Sequence, residues 1–246
     1  MNMEYMVCGN ACIFFFHYGK LAEAELATRL PRSMRYTEQA CRMFRAESRR
    51  KEWLATRVLL HSVLGETANI VYEASGRPCL EDRQCEISIS HSRGLAAMAF
   101  APQRVGLDIE RLSPTPLKLA SKYLSESELP LLQTAPAETM ACCLWSAKEA
   151  AYKLSSEQDE DFCNGICLSR CDTTFPYLGE RKNFCGESFD FYGEKNFFRR
   201  GISADLHTAV ASDGPTFSAH LTKENRKAWI FTQMLSGYSC AVAVYD

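Results

Sequence analysis

No apolar run in this 246-residue chain approaches the roughly 18–20 residues that a helix needs to cross a bilayer. The longest, over 11–16 and 95–102, are the size of strands, so a membrane-embedded chain is not expected. Charge of one sign is missing too. With 28 Lys and Arg against 30 Asp and Glu, the net charge of −2 gives no electrostatic case for nucleic acid or an anionic membrane as partner. Any anion must be gripped by a local cluster. The opening Met1-Asn2-Met3-Glu4 has an acid and no basic n-region, so no secretory leader and a cytoplasmic location are expected. Neither a fixed-period repeat nor a low-complexity tract is visible. Cysteines are plentiful, twelve in all, but scattered, which reads as reduced thiols rather than a disulfide scaffold. Cys163, Cys167 and Cys171, at x3-x3 spacing, match neither paired zinc ligands nor iron–sulfur runs and read as free thiols.

What is present is ample material for a core. Hydrophobic residues make up 46% and charged residues 24%, with 14 Phe and 10 Tyr, enough for one large domain or two small ones. Pro114 and Pro116 forbid a continuing helix or a central strand, placing a connector there and dividing the chain into lobes over 1–112 and 113–246. In the first lobe, Trp53, Val58, Leu60 and Leu64 predict a helix over 49–64, stopped by Gly65. A turn over 73–78 and strands over 86–90, 94–100 and 105–109 follow. In the second lobe the patterns predict helices over 117–124 and 140–154, then strands over 201–210, 216–221 and 238–245. A two-lobed α+β protein fits best.

Three segments carry chemistry. In Val105-Gly106-Leu107-Asp108-Ile109-Glu110, the strand period of two aims Asp108 and Glu110 at one face. Paired carboxylates suit Mg²⁺, which binds one or two of them together with substrate phosphate oxygens; a solvated face ending in a salt bridge to Arg111 has the same pattern. In Trp145-Ser146-Ala147-Lys148-Glu149-Ala150-Ala151-Tyr152-Lys153, Glu149 and Lys153 stand at i and i+4, while Lys148 points about 100° away. A carboxylate and an ammonium can serve one reaction centre, although the same spacing also gives ordinary helix stabilisation. The third segment, Ser88-Ile89-Ser90-His91-Ser92-Arg93-Gly94, runs a strand into a turn that can grip an anion. A lone surface histidine is the simpler reading of His91. Ser90 and His91, being adjacent in a strand, face opposite ways, which sets a hydrolase triad aside.

Taken in order, these segments resemble the 4′-phosphopantetheinyl transferase superfamily, in its long, two-lobed, Sfp-like branch. The family's Gly-[Lys/Arg]-Pro turn stands as Gly76-Arg77-Pro78, its Ser-x-Ser-His-Ser stretch as Ser88 to Ser92, and its [Val/Ile]-Gly-x-Asp-x-Glu strand as Val105 to Glu110. Its Trp-x-x-Lys-Glu-x-x-x-Lys helix stands as Trp145 to Lys153. Arg57-Val58-Leu59-Leu60 is similar to the family's N-terminal arginine-containing helix. The resemblance covers 49–154 well and the remainder only by lobe size and a strand-rich end.

The resemblance implies two similar α+β lobes related by a pseudo-twofold axis, with the active site in the cleft between them. It implies transfer of 4′-phosphopantetheine from coenzyme A to a serine of an apo acyl or peptidyl carrier protein, releasing adenosine 3′,5′-bisphosphate. Asp108, Glu110 and Glu149 match the family's Mg²⁺ ligands; Glu149 also matches its general base, and Lys153 the lysine that assists the leaving phosphate. Arg57, Arg77, Ser90 and His91 match positions that hold the coenzyme. A monomer is expected, with neither nucleic acid nor membrane as partner. The competing readings are a catalytically silent interaction protein and a different Mg²⁺-dependent nucleotide transferase. Two departures, the acidic stretch 155–161 and the aromatic region 175–198, bear on substrate choice rather than reaction type.

Overall fold

The computed structural model describes residues 3–155, 161–171, 182–183 and 216–246. In chain order they form β1 (Met3–Cys8), β2 (Ala11–His17), α1 (Glu23–Ala27), α2 (Ser33–Met43), α3 (Glu47–Leu64), β3 (Ile70–Tyr72), β4 (Pro78–Leu80), β5 (Glu86–Ser92) and β6 (Leu95–Ala101). There follow β7 (Val105–Arg111), α4 (Thr115–Lys118), α5 (Ala120–Tyr123), α6 (Ala137–Leu154), β8 (Ile166–Cys171), β9 (Lys182–Asn183), β10 (Thr216–Leu221), β11 (Arg226–Leu235) and β12 (Tyr238–Tyr245). Two compact units divide the chain: Met1–Pro102 with Gly179–Thr208, and Gln103–Leu178 with Ala209–Asp246. Both are α+β.

In the first unit a five-stranded antiparallel sheet runs β5-β6-β2-β1-β9. Cys12, Phe14 and Phe16 alternate along β2, and Ala96, Met98 and Phe100 along β6, joining Leu54, Val58 and Leu59 of α3 in one core. Each large apolar side chain buried this way contributes roughly 1.5–3 kcal/mol, which holds α3 on the sheet. Arg93 (φ 38°) and Gly94 (φ 94°) close the β5–β6 hairpin as a two-residue turn with both centres left-handed. Gly94 is also pressed on Gly19, whose Cα lies 2.7 Å from where a Cβ would stand. The end of β5 that carries His91 is thereby fixed.

The second unit has a five-stranded antiparallel sheet of order β7-β12-β11-β10-β8, with α6 lying across β7, β12 and β11. Leu144, Ala147, Ala151 and Leu154 of α6 meet Phe217, Ile230, Ala241 and Ala243 in its core. The C-terminal end of α6 is met by a side chain from outside the helix. Arg104 Nη2 donates to Ser155 O, a cation at the negative helix end, while Tyr245 Oη lies 3.2 Å from Leu154 O and gives its proton to the Glu224 carboxylate at 2.6 Å.

Two expectations change, and a third falls outside the described residues. The division falls at 102/103 rather than 112/113, because β7 pairs along β12 and carries α6 on its face. The strand bearing Asp108 and Glu110 thus belongs with the helix bearing Glu149. The helix expected over 117–124 is two short turns, since Leu119 (φ −99°, ψ 5°) leaves helical conformation between them. The strand expected over 201–210 lies outside the described residues, as does the region 175–198 apart from 182–183. The cysteines among the described residues are free thiols, and burial pushes the Cys85 thiol up to about 12. No helix among the described residues is long and apolar enough to cross a membrane.

Candidate active site

In the second unit, β7 and α6 approach so closely that Gly106 must be glycine. A Cβ there would lie 1.9 Å from Ala150 O and 2.8 Å from Leu154 N, both helix backbone. This contact brings the acidic strand against the Glu149–Lys153 turn of α6. Asp108 is 6% exposed. Its Oδ1 accepts from Lys153 Nζ at 2.8 Å, and the same ammonium donates to Leu107 O at 3.0 Å. Lys153 therefore pairs across to the strand, not back along its helix, and the helix-stabilising reading of the Glu149–Lys153 spacing does not describe this structure. Glu149 is half-buried. Burial raises its carboxyl above the usual carboxylate range, the negative charges of Asp108 and Glu110 add to that, and only Lys153 opposes. A carboxylate shifted this way is better matched to taking a proton near neutral pH.

Three carboxylates that push on one another, all oxygen donors, have the chemistry of a hard divalent cation's ligands. The electrostatic strain on Glu149 is what such a cation relieves. In the present arrangement the Lys153 ammonium is a positive charge held against Asp108. Among the described residues no three His, Cys, Asp or Glu side chains are drawn together in metal-holding geometry, Cys163, Cys167 and Cys171 included.

Nothing in the residue pattern marks what Lys148 does. It is fully buried and pairs with Glu128, itself 1% exposed, at 2.8 Å. Lys148 Nζ also donates to Phe162 O (2.7 Å) and Cys163 O (3.3 Å), and Glu128 accepts from Leu168 N (2.7 Å) and from the Ser125 N–H (2.7 Å) and hydroxyl (2.9 Å). One ion pair ties α6 to β8 and the turns before and after it. A buried pair satisfied at this density tolerates its desolvation, and breaking it would leave an uncompensated charge.

In the first unit a cavity of about 230 Å³ lies over β5. Arg49, Glu52, Trp53, Thr56 and Arg57 line it from one face of α3, at the i, i+3, i+4, i+7 and i+8 spacing of a helix, and Ile89 and His91 line it from alternate positions of β5. Glu52 lies 2.7 Å from Arg49 Nη1 and 3.6 Å from His91 Nδ1. Arg57 is 7% exposed; its guanidinium carbon sits 4.0 Å over the Trp53 ring and Nη2 donates to Tyr72 Oη at 3.3 Å. Among the described residues no carboxylate is ion-paired with Arg57. Burial lowers its value, yet an arginine stays charged, so the cavity wall holds a cation without a counter-ion.

The structure thus gathers Asp108, Glu149 and Lys153 in one unit, and His91 and Arg57 around a cavity in the other. Ser90 is buried on the face of β5 opposite His91, and Arg77 is turned onto Glu86, so neither lines that cavity. From the sequence Trp53 reads only as part of a helix's apolar pattern, and Tyr72 and Glu52 are not singled out. For Trp53 a signal existed in its i, i+4 spacing to Arg57, whereas Tyr72 is brought in by the fold.

A model of the 4′-phosphopantetheinyl transferase superfamily matches residues 104–243, more than half of the chain. The chain is 29% identical over 126 residues to the 4′-phosphopantetheinyl transferase Sfp of Bacillus subtilis strain 168 and 30% identical over 126 residues to the transferase ffp of Bacillus subtilis. Each match covers 47% of this chain and 56% of the relative. It is 33% identical over 89 residues to the transferase psf-1 of Bacillus pumilus, covering 35% of this chain and 38% of that one. The chain therefore spans about half the length of the curated relatives it matches. The family match runs from before β7 into β12 and takes in β7 and α6, which carry Asp108, Glu149 and Lys153, and the chain belongs to the 4′-phosphopantetheinyl transferase superfamily.

Proposed function

We propose that this chain transfers the 4′-phosphopantetheine arm of coenzyme A to a serine hydroxyl of an apo acyl or peptidyl carrier protein. The observation that carries this reading is the cluster on β7 and α6, where a carboxylate with a raised pKa, a buried aspartate and a lysine stand in the segment the family match covers. In the proposed reaction the serine oxygen attacks the phosphorus that bears the pantetheine arm. The bond from that phosphorus to the adenosine-side phosphate breaks, releasing adenosine 3′,5′-bisphosphate. Glu149 takes the serine proton, and Lys153 offsets negative charge on the departing phosphate. Asp108, Glu110 and Glu149 would hold Mg²⁺, which supplies charge neutralisation at the pyrophosphate when bound. Arg57 and His91 would grip the coenzyme's phosphate from the first unit, where the unpaired guanidinium supports an anion.

The test is mass spectrometry of an apo carrier protein incubated with the chain, coenzyme A and Mg²⁺. The expected result is a mass gain of one phosphopantetheine, lost when the metal is chelated. An unmodified carrier, across acyl and peptidyl types, would overturn the reading, and full modification under chelation would overturn its metal part.

A further inference from the structure

Arg57 presents five N–H donors and spends one on Tyr72, while one face of its plane is covered by Trp53. Trp53 stands one helical turn before it, at i and i+4 on α3, so the stack is built into a single helix. The indole also packs in the core of the first unit, 5.9 Å from the Tyr36 ring. Its Nε1–H is buried without a hydrogen-bond partner among the described residues, a standing penalty that a ring placed only for packing would avoid. Tyr72 is 53% exposed, so its ring is not held in place by burial.

We infer that Trp53 and Tyr72 are positioning residues: they lock the Arg57 fork so that its remaining N–H edge meets a phosphate monoester entering the cavity. This rests on the transfer reading above, under which the monoester is the 3′-phosphate of coenzyme A. A monoester carries about −1.5 to −2 charge against −1 for a diester, and so answers an enclosed guanidinium best. The aromatic face keeps the cation charged and in place without neutralising it, as a carboxylate would.

The experiment measures binding of coenzyme A and of dephospho-coenzyme A to the full chain by calorimetry, and compares their affinity ratio across variants. The wild type favours coenzyme A. Trp53→Leu shrinks that preference by about three- to thirtyfold, the range of a cation–π contact between exposed and enclosed settings. Tyr72→Phe shrinks it by about two- to tenfold. Trp53→Phe, which keeps an aromatic face, retains most of it. Dephospho-coenzyme A affinity stays within about twofold throughout, which a merely structural defect would not give. A wild type that binds neither coenzyme would overturn the transfer reading and this inference together. A wild type that discriminates while Trp53→Leu and Tyr72→Phe keep its ratio would overturn this inference alone, as would a Trp53→Phe loss equal to that of Trp53→Leu. Should Trp53→Leu fail to fold, the exposed Tyr72→Phe decides the matter.

Discussion

Gly106→Ala adds one methyl group at the tightest contact in the second unit. That carbon would be built 1.9 Å from Ala150 O, 2.9 Å from Ala150 C and 2.8 Å from Leu154 N. All three are backbone atoms of α6, so no rotamer change relieves them. Reaching ordinary contact distance requires β7 and α6 to part by roughly 1.5 Å. Overpacking of this kind costs about 1–3 kcal/mol or more, and each kcal/mol lowers the melting temperature by about 2–4 °C in a chain of this size. The chemical loss should be larger. A displacement of about 1 Å between reacting groups can lower the rate about 100-fold, and the displaced pair here is Asp108 against Lys153 and Glu149. We expect transfer to a carrier protein to fall about 100-fold while the protein remains folded. Gly237→Ala is the matching control. Gly237 has φ 79° and nothing within 4 Å of a built Cβ, so strain of about 1 kcal/mol should lower melting there without touching the rate. Gly106→Ala with wild-type melting and wild-type transfer would refute the close approach of β7 and α6.

Other perturbations separate structure from chemistry. Lys148→Met should destabilise by about 3–5 kcal/mol in urea unfolding by stranding Glu128, and adding Glu128→Gln should recover part of that; additive losses would show that the two do not form one pair. Lys153→Ala should lower kcat at least tenfold in the transfer assay, and near wild-type kcat would make Lys153 scaffolding for Asp108. His61 is held below its ordinary value chiefly by burial, with Nδ1 3.1 Å from Gly65 O and Nε2 2.8 Å from Tyr36 Oη. Because a carbonyl only accepts, Nδ1 carries the proton and Tyr36 donates to Nε2. A depressed folded pKa means the unfolded chain binds the extra proton first, so His61 stabilises above about pH 6.5 and that contribution is lost as pH falls below it. His61→Phe should flatten the fall in melting temperature between pH 7 and 5, and an unchanged slope would contradict the sign.

Much of this site was legible because its spacing is local. A strand period of two puts Asp108 and Glu110 on one face, and one helical turn separates Glu149 from Lys153, with no tertiary contact needed. The domain boundary was not legible. Two prolines after β7 mark a connector, but the unit a strand belongs to depends on its partner in the sheet, and β12 begins well over a hundred residues later. Glu128 was invisible for the same reason, since nothing in an acidic turn marks one of its residues for full burial.

The choice Lys153 makes follows from unequal burial. Along the isolated helix, Glu149 is its natural partner at i, i−4, and such pairs contribute about 0.2–0.5 kcal/mol. Once β7 packs on α6, Lys153 meets a second carboxylate. Asp108 has a side chain only 8% exposed, whereas Glu149 is half-buried. An enclosed carboxylate loses most of its hydration and gains far more from an adjacent ammonium than one that keeps water. The ammonium therefore goes to Asp108, and the Leu107 carbonyl beside it fills a further donor. Glu149 is left with burial and two repelling carboxylates against a single opposing charge, which is why its pKa rises. A helix motif that on its own would neutralise a glutamate instead leaves that glutamate's pKa raised, and burial together with the strand's carboxylates is the cause.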